Sequence, residues 1–150
     1  MRLQIAALTL SASALVGIAL HEGYRDKAYT PVPGDVPTIG FGTTEGVKQG
    51  DNITVERALV RLLKDASKFE QTVKRCASVP MHAHEFSAFV SLTYNIGEGA
   101  FCSSTLVKKL KEGDYKAACE QILRWDKFKG QSLPGLTKRR QQEYQMCLGQ

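Results

Sequence analysis

The sequence contains no internal repeat, no low-complexity tract and no linker between residues 21 and 150. Its 150 residues are 43% hydrophobic and 23% charged. This composition excludes a collagen-like chain and an intrinsically disordered one. It supplies enough apolar side chains for one core, and the length leaves no room for two cores of normal size.

Acidic residues are scarce relative to basic ones. The formal net charge is +5, which favours a polyanionic partner: nucleic acid, acidic lipid or an acidic cell-wall polymer. The run Lys138-Arg139-Arg140 suggests a nucleic-acid-binding module. We expect no nucleic-acid partner, because the other basic residues are dispersed over several predicted helices and the N-terminus predicts export.

No charged residue occurs between Leu3 and Leu20, directly behind Arg2. A run of this length is about the minimum for a helix that spans a bilayer, and Arg2 predicts that the chain after the run is exported. Polar residues and glycine dilute the run, so the span is weak. Four interpretations remain open: a signal peptide cleaved near Ala12-Ser13-Ala14, a permanent anchor, a marginal anchor that can leave the membrane, and a buried helix of a soluble protein.

The rest of the chain changes pattern at Thr54. Glycines and prolines concentrate between Tyr29 and Gly50, which predicts a small twisted hairpin region. After Thr54, a predicted N-cap, the periodicity is helical. A second helix is predicted to end at Gly97, a third to begin at Ser103 or Ser104, and a fourth to begin at Asp114. The last predicted helix runs from Leu136 to Cys147. The helix that begins after Thr54 is predicted to face the core with one apolar stripe: Ala58, Leu59, Leu62, Leu63, Ala66, Phe69 and Val73. The predicted fold class is α+β, with a small N-terminal β-lobe and a larger helical lobe.

The four cysteines form no C-x-x-C motif, which excludes the tight zinc and redox patterns. Wide spacing and an even number suit two disulfides in an exported protein, or four buried thiols in a cytosolic one. Sequence alone permits three pairings. Packing of the Asp114 helix against the terminal helix favours Cys119–Cys147, and Cys76–Cys102 then closes the central helical region.

Glu22 stands where the apolar run meets the hairpin region. Partial desolvation beside Leu20 suits a general acid, although the position also suits a surface glutamate at a helix end. Glycoside hydrolysis requires a second carboxylate across a cleft. Asp26 lies one helical turn after Glu22 and would share its face. Asp35, in a Pro-Gly-Asp-Val turn, can face Glu22, and its alternative role is that of an ordinary turn aspartate.

The stretch from His21 to Thr44 resembles the phage-type lysozymes, glycoside hydrolase family 24, whose motif is a glutamate-glycine pair followed by a strand reading T-x-G-x-G. Five motifs match in order, and the resemblance covers residues 21–148. They are Glu22-Gly23 with Tyr29; Thr38-Ile39-Gly40-Phe41-Gly42; Tyr94-Asn95-Ile96-Gly97-Glu98-Gly99; Phe101 with Ser104-Thr105-Leu106; and Trp125 with Leu133-Pro134-Gly135-Leu136, Arg139-Arg140 and Glu143.

The resemblance implies a lysozyme-like fold and hydrolysis of the β-1,4 bond between N-acetylmuramic acid and N-acetylglucosamine in peptidoglycan. Glu22 would protonate the leaving oxygen, and Asp35 with the Thr38 hydroxyl would orient a water or stabilise the transition state. Tyr94 and Asn95 would line the cleft floor, or serve as a core tyrosine and a capping asparagine.

A basic residue of the terminal helix, Arg139 or Arg140, would bind carboxylates of the substrate, or would pair with Glu143 at helical spacing. No metal or organic cofactor is expected, since the three histidines have no ligand constellation around them. The protein is expected to act on peptidoglycan as a monomer.

The N-terminal run resembles the signal-anchor-release segment of endolysins of Gram-negative phages. Such proteins are exported uncleaved, wait tethered in the inner membrane and become active on release into the periplasm. The resemblance implies an anchor over residues 1–20, membrane-bound through residues 3–20, and a catalytic domain over residues 21–150.

Two positions depart from the family pattern. Counting from Glu22, the expected acid falls on Pro31, which cannot act, and one extra residue separates Tyr29 from the T-x-G-x-G motif relative to the usual spacing. Asp35 is the only acid in that loop, so the resemblance assigns the role of second catalytic carboxylate to Asp35. Thr43 stands where the family often has histidine. The missing acid leaves open a non-catalytic alternative, a membrane-tethered domain that binds peptidoglycan or another envelope protein.

Overall fold

The computed structural model describes residues 1–150 and has the α+β architecture that the sequence predicts. Two small antiparallel sheets accompany seven α-helices and two short 3-10 turns. The helices are α1 (Ala12–Glu22), α2 (Val55–Ala77), α3 (Ala83–Ile96), α4 (Glu98–Cys102), α5 (Thr105–Lys111), α6 (Tyr115–Gln121) and α7 (Pro134–Cys147). The strands are β1 (Arg25–Tyr29), β2 (Thr38–Gly40), β3 (Lys127–Phe128) and β4 (Gln131–Ser132).

Side-chain caps fix the starts of the three helices that the sequence predicts to begin at a capping residue. Thr54, Ser104 and Asp114 each accept a hydrogen bond from a backbone N–H three residues further on, which satisfies a donor that has no partner inside the helix. These three predicted helix starts are confirmed. The two-residue strands β3 and β4 and the five-residue helix α4 were not predicted, because elements this short carry no periodic signal.

The core lies in the helical lobe around α3, whose residues 85–93 are all buried. Phe86 and Phe89 of α3, Phe101 of α4 and Leu110 of α5 are fully buried within it. Helices α7 and α2 both pack against α3. The buried apolar surface of these helices therefore forms one continuous core, on which the small β-lobe rests.

The predicted inward stripe of α2 is wrong at two positions. Leu59 and Leu63 are 47% and 57% exposed, whereas Ala58 and Leu62 are buried. The physical reason is the small size of the β-lobe. Its strand β2 approaches α2 so closely that a Cβ on Gly40 would lie 3.1 Å from the Ala58 Cβ, and the lobe covers only that side of the helix.

The β-lobe is a short antiparallel pair with an irregular register. Arg25 pairs with Gly40 and Tyr29 with Thr38, and a bulge lies between these pairs. The loop between the strands contains three prolines, which lack the N–H that a ladder needs. The predicted hairpin region is thus confirmed, with short strands and a long loop that projects beside the end of α1.

The apolar residues 3–20 are divided between several elements. Leu3 and Met81 exchange two backbone hydrogen bonds of 2.8 and 2.9 Å, a 3-10 turn covers Ile5–Ala7, and α1 begins after Ser11. Leu8, Ala14 and Ile18 are buried against the rest of the protein. None of the seven helices has the length and apolar character needed to cross a membrane.

Both disulfides join the residues that packing of the predicted helices favoured. Cys76 at the end of α2 is bonded to Cys102 of α4, and Cys119 of α6 is bonded to Cys147 at the end of α7. No cysteine is free. The bonds close loops of 26 and 28 residues around the helical lobe. At this loop length each crosslink adds about 3 to 4 kcal/mol to the free energy of unfolding, because it restricts the unfolded chain.

Candidate active site

Glu22 is the last residue of α1, and the chain turns away from the helix at Gly23, whose φ of 69° suits glycine. Its side chain is only 19% exposed. One carboxylate oxygen, Oε1, accepts a hydrogen bond of 2.7 Å from Nη1 of Arg139 on α7. The other oxygen, Oε2, lies over Gly42 in the loop after β2. The helix end and two distant elements therefore fix the position of this carboxyl.

Arg139 belongs to a buried charged network in α7. Its Nε donates to Oε1 of Glu143 at 3.2 Å, and Nε of Arg140 lies 2.7 Å from Oε2 of the same carboxylate. The Ser91 hydroxyl on α3 donates to Glu143 Oε1 at 2.7 Å. Burial raises the pKa of Glu143, whereas the two guanidinium groups and the hydroxyl favour its charged form.

The structure shows the ion pairs that the two α7 arginines make. Both pair with Glu143, as helical spacing allowed. The side chain of Arg139 is 5% exposed and is held between Glu143 and Glu22, behind the catalytic candidate. Nothing in the sequence links residues 22 and 139, so their contact was not predicted.

A cleft of about 540 Å³ lies in front of Glu22, between the β-lobe, the middle of α2 and the C-terminal end of α3. It brings together five of the six predicted site residues, and Arg139 does not line it. The lining residues are Glu22, Tyr29, Pro31, Asp35, Thr38, Gly42, Thr44, Glu45, Asp65, Lys68, Phe69, Tyr94, Asn95 and Phe128.

Asp35 lies in the exposed loop between β1 and β2, on the wall of the cleft that the β-lobe supplies. Its Oδ1 accepts a hydrogen bond of 2.8 Å from the backbone N–H of Val36, so the carboxylate is anchored within its own turn. Asp26 does not line this cleft; it lines a separate surface depression beside the start of α2. Pro31, where the family pattern expects an acid, lines the cleft without a charge.

Tyr94 links the helical lobe to the β-lobe at the bottom of the cleft. Its hydroxyl donates to the Phe41 carbonyl at 2.7 Å, and its ring lies 5.3 Å from that of Phe69. Burial, with the nearby acids Asp65 and Glu22, raises the pKa of Tyr94 well above its ordinary value, so the hydroxyl remains a neutral donor. Asn95 is exposed to the cleft, and α3 is closed by Gly97 rather than by the Asn95 side chain.

Thr43 replaces the expected histidine with a different contact. Its hydroxyl donates to Oδ2 of Asp65 on α2 at 2.7 Å; Thr43 is buried and Asp65 is half-buried. This bond ties the loop after β2 to the long helix. Sequence reasoning missed Asp65 as a cleft residue, because on the helical pattern it is only one charged position beside the buried stripe.

Comparison with known proteins gives consistent results. Over residues 19–143 the sequence matches the phage lysozyme family. An endolysin of Acyrthosiphon pisum secondary endosymbiont phage 1 is 40% identical over 89% of this chain and 94% of the relative. A SAR-endolysin of Pseudomonas phage phiKMV is 36% identical over 91% of this chain and 87% of the relative. The solved endolysin from Escherichia coli O157:H7 phage FAHEc1 superposes with a TM-score of 0.81 at 36% identity, covering 95% of this chain and 94% of that one.

Proposed function

The chain belongs to the phage lysozyme family and is an endolysin of the muramidase type; on this basis we propose which residues carry its chemistry. Glu22 is the general acid, Asp35 is the second carboxylate, and the Thr38 hydroxyl assists it. The bond cleaved is the β-1,4 linkage between N-acetylmuramic acid and N-acetylglucosamine in peptidoglycan. The observation that carries the proposal is that Glu22 and Asp35 line one cleft from different lobes.

The two carboxylate oxygens of Glu22 have different surroundings and therefore have different roles in this proposal. Oε1 accepts a hydrogen bond from Arg139, whereas Oε2 lies over Gly42, which lines the cleft together with Glu22. Oε2 is therefore the atom that carries the proton to the glycosidic oxygen as the bond from that oxygen to C1 breaks. Arg139 does not line the cleft and donates to Glu22, so in this proposal it contacts the acid rather than the substrate. It is a positioning residue, and the buried pair with Glu143 holds it in place.

Asp35 stays ionised while the bond breaks. Its negative charge stabilises the oxocarbenium-like sugar, or orients the water that attacks it. The water supplies a hydroxyl group to C1 and a proton to the pair of carboxylates, so the enzyme returns to its starting protonation state. Thr38 lines the cleft from β2, and its hydroxyl donates to the Val36 carbonyl at 3.3 Å. In this proposal the hydroxyl exchanges that long bond for one to the water or to the sugar when the glycan binds. Tyr94 and Asn95 form the floor against which the glycan rests.

The N-terminal segment supplies the control of this activity. We propose that residues 3–20 hold the exported protein in the inner membrane until release into the periplasm. A SAR-endolysin among the relatives supports this, as does the uncharged run behind Arg2. In the folded protein residues 12–20 belong to helix α1, which ends in Glu22, so a chain held in the membrane cannot present the general acid to the cleft.

Lysis of peptidoglycan embedded in a gel tests the proposed function against the non-catalytic alternative. The released full-length protein is expected to clear the gel, and size-exclusion chromatography is expected to give a monomer. Binding to peptidoglycan without release of reducing sugar ends would identify a binding domain instead of an enzyme.

A further inference from the structure

Four aliphatic side chains in the first half of α2 lie at the surface of the folded protein. Val55, Leu59 and Leu63 are 44%, 47% and 57% exposed, and Val60 is 70% exposed. The spacing of four residues places Val55, Leu59 and Leu63 in one row along the helix, with Val60 beside that row. We call these four residues the α2 face. A cluster of large apolar side chains in contact with water marks a surface that binds a partner.

Helix α1 lies beside α2 and runs in the opposite direction. Leu10, ahead of α1, donates its backbone N–H to Glu70 at 2.7 Å, and the Tyr24 hydroxyl, just after α1, donates to the Ile53 carbonyl at 2.8 Å. Two aliphatic side chains of α1 are also exposed: Val16 (58%) and Leu20 (80%). The exposed apolar surface therefore extends over two adjoining helices.

Basic residues border the α2 face on one side. Arg57 precedes Val60 by three residues and Lys64 follows it by four, so both exposed side chains lie next to Val60 on the helix surface. Lys64 is 3.9 Å from the Glu45 carboxylate, and both side chains of this pair are exposed. Such a pair is weak and leaves the ammonium group able to bind another anion. The exposed acid in this half of the helix is Glu56, in the first turn.

The α2 face and the catalytic cleft lie on opposite sides of the helix. Asp65 and Lys68 of α2 line the cleft. Successive residues of an α-helix are rotated by about 100°, so Leu63 is about 200° from Asp65, and Leu59 is about 180° from Lys68. A partner that covers the α2 face therefore leaves the cleft open to the glycan.

We propose that the α2 face, with the exposed side chains of α1, docks the released enzyme on the surface of an anionic bilayer. The inference rests on the proposed release from the membrane, which brings the folded protein close to lipid. The aliphatic side chains enter the boundary between headgroups and acyl chains, and Arg57 and Lys64 bind headgroup phosphates. Helix α2 lies along the bilayer surface in this arrangement, and the cleft faces away from the lipid.

Charge favours lipid over a second copy of this chain as the partner. A two-fold dimer built on the α2 face would bring the Arg57 and Lys64 side chains of both copies into one interface. Like charges in an interface oppose association. An anionic lipid surface is complementary to the same two residues, and the formal net charge of +5 acts in the same direction.

The test measures partition of the purified full chain, freed of detergent, onto two kinds of vesicle: phosphatidylcholine alone, and phosphatidylcholine mixed with phosphatidylglycerol. Wild type is expected to bind the anionic vesicles at low salt and to leave them at high salt. Leu63→Gln is expected to lower the partition coefficient about tenfold, because the glutamine does not enter the apolar boundary. Leu148→Gln, at the 36% exposed residue that follows α7, is the matched control and is expected to bind as wild type does.

Charge variants test the border of the α2 face. Lys64→Gln is expected to weaken binding to the anionic vesicles about fivefold, whereas Lys111→Gln, at an exposed residue of α5, changes the net charge equally and is expected to have a smaller effect. Glu56→Gln is expected to strengthen binding. Hydrogen bonds from its own backbone and from Thr54 lower the pKa of Glu56, so the wild-type carboxylate is charged at neutral pH and repels the anionic surface.

Three results would overturn the proposal. Equal partition of wild type and Leu63→Gln would show that the α2 face does not bind lipid. Association that resists high salt and carbonate would show that residues 3–20 insert instead. A dimer in sedimentation that Leu63→Gln dissociates would identify a second copy as the partner.

Activity separates this inference from the proposed function. Release of reducing sugar ends from soluble glycan is expected to be the same in Leu63→Gln and wild type, because the α2 face lies outside the cleft. Vesicle partition does not depend on catalysis, so a chain that binds anionic vesicles through the α2 face without cleaving glycan would support the docking surface and contradict the proposed function. A chain that cleaves glycan at full rate and binds no vesicles would do the reverse.

Discussion

Glu22 and Gly42 meet where the end of α1 reaches the β-lobe: a Cβ atom on residue 42 would lie 2.9 Å from Oε2 of Glu22. Gly42 also has a φ of 84°, a backbone conformation that residues with a side chain rarely adopt. The last glycine of the T-x-G-x-G motif therefore has two functions. It allows the turn, and it leaves room for the carboxyl of the proposed general acid.

Gly42→Ala is expected to lower kcat by about tenfold to a hundredfold. The added methyl group pushes the Glu22 carboxyl away from its position, and small displacements of a catalytic group are costly at this level. Gly46→Ala is the matched control. It places alanine at a φ of 70° in the same loop, with no atom within 4 Å of its Cβ, so it introduces backbone strain alone. Equal losses of activity in the two variants would refute the steric explanation.

Asp35→Asn is expected to reduce turnover by at least about two orders of magnitude, because the amide carries no negative charge to stabilise the transition state. Asp26→Asn is expected to stay within about twofold of wild type, since Asp26 lies outside the cleft. Both rates are measured on purified peptidoglycan. The informative contrary result is a mild effect at Asp35 with a severe one in Asp65→Asn, which would move the second acid from the β-lobe to α2.

The sequence predicts local features of this molecule better than its long-range contacts. Thr54, Ser104 and Asp114 reveal helix starts because a cap acts within one turn. The contact between Glu22 and Arg139 spans 117 residues and depends on how α1 and α7 pack on α3. No local pattern records that packing. The exposure of Leu59 has the same origin, since periodicity shows an apolar face but not the size of its partner.

The residues of the candidate active site show the same difference between local motifs and long-range contacts. The family motifs place Glu22, Thr38, Tyr94 and Asn95 in order along the chain, and all four line the cleft. Asp65 was missed because its role arises only when Thr43, in the loop after β2, donates to it. Short-range motifs thus identify the chemistry, whereas the residues that hold the motifs in place become apparent only in the fold.

Stability is expected to fall with acid partly because of His21. Its pKa is lowered in the folded protein, so as the pH falls below about 6.5 the unfolded chain takes up the proton first. The stability associated with neutral His21 is complete above that pH and is lost as the pH falls toward the lower folded-state pKa. The decrease in Tm between pH 7 and pH 5 should therefore be smaller in His21→Gln than in wild type. An equal or larger decrease in the variant would contradict this assignment.

Membrane retention is expected to increase when Thr9, Ala12 and Ser13 are replaced by leucine. Each leucine contributes about 0.5 kcal/mol toward insertion at the centre of a membrane helix. All three positions are exposed in the folded protein, so the fold is preserved. Ser11 is left unchanged, because its hydroxyl caps α1.

The variant is expected to fractionate with membranes for longer and to delay lysis, while protein freed by detergent keeps wild-type activity. Gln141→Leu, on the exposed face of α7, adds apolar surface outside the segment and serves as the control. Lysis by the triple variant on the wild-type schedule would require the membrane-release proposal to be abandoned.

The central claim, that Glu22 is the acid that cleaves the glycan, is tested most directly by the turnover of Glu22→Gln on purified peptidoglycan. Glutamine keeps the size of the side chain and can still accept a hydrogen bond from Arg139, and a wild-type melting curve verifies that the variant is folded. The release of reducing sugar ends is predicted to fall by at least about two orders of magnitude, because the amide has no proton acidic enough to transfer to the leaving oxygen. A rate near that of wild type in the folded variant would contradict the account.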